Sequence, residues 1–306
     1  MLTYFVKRSQ GEDFQEMKRP PEANVWVQGT NISGSDLESL HDNYSFDKNI
    51  LHDALDSGEL PRIEKKDGAM YVFVRTIHRG KHGVISTTPV LLAVKNSVFI
   101  GISTASAIDY NTAASRKLVQ MTDATSLLLG TFAGIVGEYE ALMQRTARYI
   151  NDTTHRLRNH EVTNQDFVKF VTVENNIGEY RMNLSGMMAV TDRLKEVVTT
   201  HEETEAVEDI RLYIKQLLVS TESYQQSVTS IRNSYGIIAD NTLNRRIKAL
   251  TVLTLLVTLP NVFYGMYGMN VSLPFQNEPW AYAGIVIFTI TVVLLVYLIA
   301  KRFRIF

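Results

Sequence analysis

Asn244, Thr251, Thr258 and Gly265 recur at intervals of seven residues, and Ile247, Thr254, Asn261 and Gly268 repeat that interval beside them. On a helix this interval returns each side chain to nearly the same face, so the two sets form adjacent stripes rich in amide and hydroxyl groups. They run into a stretch with no charged residue between Lys248 and Glu278. Polar groups in so apolar a segment have two uses. They can line a water-filled path, or they can hydrogen-bond to a neighbouring helix, as Thr and Asn do in membrane bundles. A path needs several copies of the chain, because two crossing helices cannot enclose one. Pro260 lies in the same segment, removes one helix hydrogen bond, and requires compensation by packing or water.

The elements that must position these residues are set by length. As helices, residues 249–270 would rise roughly 33 Å and residues 281–300 roughly 30 Å, against a hydrocarbon core of about 30 Å. Both runs match a bilayer. Arg245, Arg246 and Lys248 precede the first run, while Lys301, Arg302 and Arg304 follow the second. The link, "MYGMNVSLPFQNEPW", carries Glu278 but no Lys or Arg, so both termini are expected in the cytosol, beneath an inner or plasma membrane. Tyr264, Tyr267, Trp280 and Tyr282 gather near the link, as an interfacial belt would.

The rest of the chain divides by composition. Residues 1–125 predict a mixed α/β domain, with "NVWVQ", "MYVFVRTI", "TPVLLAV" and "SVFIGIS" as strands and Lys95-Asn96 as a hairpin turn. Ser35-Asp36-Leu37-Glu38 has capping-box spacing, and Asp47 is placed to cap a helix over about 48–56. Residues 126–245 predict long helices and a stalk, since no proline occurs between Pro89 and Pro260. Along the stalk Leu217, Tyr224, Val228, Ile231, Tyr235 and Ile238 form a coiled-coil-like seam, or pack on their own chain. Residues 246–306 predict the transmembrane domain, with spans at about 246–268 and 281–300 and a basic tail. The fold class is thus an α+β domain followed by long α-helices and a two-helix membrane hairpin.

Composition excludes several functions. The net charge of −1 gives no nucleic-acid footprint, and the absence of cysteine rules out disulfides and thiolate zinc sites. "MLTYFVKRSQGED" turns polar too early for a signal peptide. No H-E-x-x-H, P-loop or Gly-x-Ser-x-Gly pattern occurs, so an enzyme is not expected.

Tyr267-Gly268-Met269-Asn270, at the end of the first of two C-terminal spans, resembles the signature of the CorA magnesium-channel family. "NRRIKALT" (244–251) is similar to the family's pore-entrance segment, and "LHDALDSGELPRIE" (51–64) to a cytosolic helix-to-strand segment. The resemblance covers the whole chain in order. It implies a funnel-shaped homopentamer in membrane lipid, binding divalent cations and no nucleic acid, that admits Mg²⁺. Gly268, Met269 and Asn270 would then form the selectivity filter, glycine permitting a sharp turn and Asn270 offering a ring of neutral amides. Mg²⁺ dehydrates reluctantly, and such a ring can bond its water shell without trapping the ion. Asn244, Ile247, Thr251, Leu255, Thr258, Asn261 and Gly265 would line the pore, and Leu250, Leu255 and Leu259 are gate candidates. Thr258 stands where the family suggests a large apolar residue. Glu278 either concentrates cations at the outer mouth or only solubilises the interface. Matching back from Pro61 and Asn244 places a regulatory Mg²⁺ site on Asp53 and Asp209, where ordinary surface acids are the bland alternative. Transport of Zn²⁺, Co²⁺ or Ni²⁺, or a membrane-anchored scaffold, remains open.

Overall fold

The computed structural model describes residues 1–6, 15–21, 24–104, 123–158, 164–270, 275 and 277–302. Arg304 of the basic tail and residues 271–274 and 276 of the link lie outside the described residues. Contacts divide the chain into two units, Met1–Ile231 and Arg232–Phe306.

The first unit contains a seven-stranded sheet in the order β2-β1-β3-β7-β6-β5-β4. Its strands are β1 (Leu2–Val6), β2 (Gln15–Met17), β3 (Val25–Thr30), β4 (Arg62–Lys66), β5 (Ala69–Arg79), β6 (Ile85–Lys95) and β7 (Val98–Ser103). Only β3 and β7 pair in parallel; the other neighbours are antiparallel. The four expected strands are present as β3, β5, β6 and β7. Asn96 turns β6 into β7 with φ of 52°, a left-handed conformation that asparagine tolerates better than most residues. Two short strands, β1 and β2, were not anticipated because neither contains a long apolar run, while β4 is the strand end of the helix-to-strand segment 51–64.

Alternation along β5 shows why its sequence is apolar throughout. Tyr71 and Phe73 enter one buried cluster, with Leu37 and Leu40 of α1 (Gly34–Tyr44) and Ile50 and Leu51 of α2 (Lys48–Asp53). Val72 and Val74 enter a second cluster on the opposite face. A sheet covered on both faces needs no polar side. The second cluster is completed by α3 (Ala124–Arg158), α4 (Asn164–Leu194) and the start of α5 (His201–Tyr267). Gly186 of α4 meets the strand side closely: a Cβ there would lie 2.9 Å from Pro61 Cγ.

Two local expectations fare differently. Asp47 caps α2 as expected, its Oδ1 accepting from Asn49 N at 2.9 Å and Ile50 N at 3.1 Å. The capping box of α1 starts at Ser33, not Ser35; Asp36 Oδ2 accepts from Ser33 N at 3.0 Å. Ser33 holds the extended backbone that an N-cap requires, so the box shifts by two residues. Along α5, Leu217, Val228 and Ile231 are buried within the chain's own second cluster, which accounts for that part of the seam without a partner chain.

The second unit contains the remainder of α5 and α6 (Ala281–Arg302). Both helices carry segments long and apolar enough to cross a membrane. These segments are almost entirely exposed rather than packed in a core. Helix α5 continues through Pro260.

Candidate ion path and metal sites

The first span presents two different faces. Val252 is buried and Leu256, Leu259, Pro260 and Phe263 are half-buried, on one side of α5. This side meets α6, where the Phe263 and Phe288 rings stack edge to face with centroids 5.2 Å apart. Asn244, Ile247, Thr251, Thr254, Thr258, Asn261, Gly265 and Gly268 are all exposed. A helical projection puts them roughly opposite the packed side. The two polar stripes therefore occupy the side of the first span that its own hairpin leaves open.

The chemistry of that side is acceptor-rich. Thr251 Oγ1 donates to Ile247 O and Thr254 Oγ1 to Leu250 O, both at 2.9 Å. With the hydroxyl proton committed to the helix backbone, the oxygen's remaining lone pairs are available as acceptors. Water bound to a cation donates hydrogen bonds, so the surface suits a hydrated cation. Gly265 has open space around the position of an added Cβ. Its lack of a side chain is therefore not required by packing within the chain, although glycine inside a helix costs about 1 kcal/mol relative to alanine.

At the C-terminal end of α5, Gly268 N donates to Tyr264 O at 3.0 Å and to Gly265 O at 3.2 Å, and Met269 N to Met266 O at 3.3 Å. Gly268 does not have positive φ, and an added Cβ would make only ordinary contacts, the nearest at 3.4 Å to Tyr264 O. At Gly268 itself the backbone therefore adopts no conformation that only glycine allows. Met269 and Asn270 are exposed. Glu278 is also exposed, and its carbonyl accepts from Ala281 N at 3.0 Å. A carboxylate so close to the start of α6 also complements the helix dipole. Of the gate candidates, Leu250 and Leu255 are exposed, whereas Leu259 is half-buried on the hairpin-packing side.

In the first unit, Asp53 is not a free carboxylate. Arg62 Nη2 lies 2.6 Å from Asp53 Oδ2, while the same guanidinium reaches Glu64 Oε2 at 2.6 Å and Glu59 Oε1 at 2.9 Å. Arg62 stands within the segment 51–64, but no local pattern there marks it as the partner of Asp53. Asp209 is exposed and has no ion pair among the described residues; its neighbour Glu208 pairs with Lys195 at 3.1 Å. No group of three potential metal ligands occurs among the described residues. Asp53 and Asp209 of one chain therefore do not form a closed Mg²⁺ site, and the donor set fits only an ion shared with further ligands or waters.

A mixed α/β unit, a helix that continues into an exposed apolar segment, and a second apolar helix define a protein with two candidate membrane spans. The sequence model for CorA-like Mg²⁺ transporter proteins matches residues 21–302, and the chain belongs to that family. The cobalt/magnesium transport protein CorA of Methanocaldococcus jannaschii is 22% identical over 292 residues, covering 91% of this chain and 90% of the relative. The complete CorA structure from that organism superposes with a TM-score of 0.83 at 17% identity, covering 99% of this chain and 98% of the other. The full-length CmaX protein gives 0.72 at 13% identity, with 97% of each chain covered. The ZntB cytoplasmic domain from Vibrio parahaemolyticus gives 0.63 at 11% identity, covering 78% of this chain and 98% of that domain. At these identities the structural likeness defines the fold alone.

Proposed function

We propose that five copies assemble around the open, polar side of α5 and conduct Mg²⁺ into the cytosol, with both termini cytosolic. The observation that carries this reading is the exposure of every stripe residue on the side away from α6. Asn244, Ile247, Thr251, Leu255, Thr258, Asn261 and Gly265 line the path, and Gly268, Met269 and Asn270 form its outer filter. Neutral oxygens bind the ion's water shell weakly enough for release, where a carboxylate ring would hold the dication. Leu250 and Leu255 are the proposed constriction; the packing of Leu259 favours a role within the hairpin instead. The functional division is 1–125, 126–245 and 246–306.

Regulation is proposed to lie between subunits, where Asp53 of one chain and Asp209 of the next share Mg²⁺ and favour the closed state. Binding shifts the population only by the ion's preference for that state, and five interfaces multiply a modest preference. About 1 kcal/mol per interface sums to roughly 5 kcal/mol, close to what moves a population from 1:99 to 99:1.

The deciding experiment is ion flux into liposomes containing purified protein, comparing Mg²⁺, Co²⁺, Zn²⁺ and Ni²⁺ with and without a proton gradient. Saturable Mg²⁺ uptake driven by membrane potential is expected. Co²⁺ is the second reading, favoured by the name of the M. jannaschii relative. Absence of flux for all four ions would leave the spans as an anchor and overturn the transport mechanism.

A further inference from the structure

A cavity of about 310 Å³ opens in the first unit, and neither Asp53 nor Asp209 lines it. Three elements build it: the β5–β6 turn, one face of α3 and one face of α4. Asn176 fixes the turn, since its Oδ1 accepts from Ile85 N at 3.1 Å and its Nδ2 donates to Gly83 O at 2.9 Å. Arg79 from β5, Arg145 from α3 and Lys169 from α4 all line the cavity, and no carboxylate does. None of the three cations has an ion pair among the described residues. Asp152 and Asp166, the carboxylates beside Tyr149, are engaged by Arg156 at 3.2 and 2.7 Å.

Tyr149 lines the same cavity. Its hydroxyl oxygen is buried beside Thr153, Asp166 and Arg156, which do not line the cavity. Three cations around one opening without a carboxylate make the local potential positive, which favours an anion. The cavity lies at the lower end of the size range for ligand sites, large enough for one compact anion.

We propose that this cavity binds a phosphate group, with Arg79, Arg145 and Lys169 as its charge partners. Arginine suits tetrahedral oxyanions because its N–H groups form a planar fork, and lysine adds a mobile point charge. The phosphate could be inorganic or the end of a nucleotide, since both offer the same oxygens.

The test uses the full-length protein in detergent, free of divalent ions, at fixed ionic strength. Inorganic phosphate, AMP and ATP are titrated by calorimetry, with chloride as the control, and the parent's melting temperature is followed against phosphate concentration. One saturable site per chain is expected, with a rise in melting temperature. Arg145→Gln and Lys169→Gln should each weaken binding about tenfold through loss of a charge-assisted hydrogen bond. Both side chains are exposed, so the variants should keep the parent's oligomeric state. Tighter binding of ATP than of phosphate assigns the nucleotide as source; equal or weaker binding assigns the free ion. No saturable binding of any of the three up to about 10 mM, or equal affinity in parent and variants, overturns the site.

Discussion

Replacing Arg62 by Gln is expected to make internal Mg²⁺ a stronger inhibitor. The guanidinium contacts Asp53 at 2.6 Å, and an ion that takes this carboxylate must displace it. The side chains of Arg62 and Asp53 are 34% and 45% exposed, so solvent screens the pair. Such a contact is worth about 0.5–1 kcal/mol, not the several expected of a buried pair. Removing the competitor should therefore lower the half-inhibiting Mg²⁺ concentration roughly two- to fivefold per site. Glu59 and Glu64 lose their shared cation in the same variant, which makes the local potential more negative and acts in the same direction. A stability cost accompanies this gain, because Arg62 also lies 4.6 Å over the Phe73 ring. About 1–2 kcal/mol is the expected loss. The assay is Mg²⁺ uptake or current against internal Mg²⁺ for the parent, Arg62→Gln, and Arg62→Gln with Asp53→Asn. The single variant should shift the curve to lower Mg²⁺, and the added Asp53→Asn should abolish that shift. An Arg62→Gln curve that superimposes on the parent's, in an intact oligomer, refutes the competition.

Asn270→Ala should nearly abolish Mg²⁺ uptake while assembly, followed by size-exclusion chromatography, is retained; normal flux would remove Asn270 from the filter. Glu278→Gln should reduce uptake mainly at low external Mg²⁺ and low ionic strength, because its attraction is screened by salt. Unchanged uptake under those conditions would leave Glu278 a helix-end and interfacial residue only. Asp47→Ala should cost about 1 kcal/mol by removing the α2 cap, read as a lower midpoint in denaturant. The Lys66 hydrogen bond, with backbone N–H groups of α2, holds the Asp47 carboxyl below its ordinary pKa. A depressed folded pKa gives stability that is present above the unfolded pKa and lost as pH falls through the folded one. The parent's acid limb should therefore be steeper than that of Asp47→Ala, and parallel limbs would count against the coupling.

What the sequence determined by itself were features that depend on near neighbours or on the choice of solvent. Two charge-free runs of bilayer length could be identified because burying a charge in hydrocarbon is costly anywhere along a helix. The strands β5, β6 and β7 were legible because a sheet covered on both faces demands continuous apolar sequence. The family signature at Tyr267-Gly268-Met269-Asn270 was legible because it is contiguous. Periodicity also grouped the polar stripes, but it could not say which side of α5 the hairpin would cover. Only tertiary packing decided that, by placing Leu259 and Phe263 towards α6 and leaving Thr251, Thr258 and Gly265 open. Arg62 and Asp53 stand nine residues apart, and their pairing depends on the turn from α2 into β4. Arg79, Arg145 and Lys169 belong to three separate elements, so no local pattern joins them. Side chains distant in sequence meet only when long helices settle on the sheet, and that settling is governed by burial of the whole apolar surface rather than by any one segment's preference.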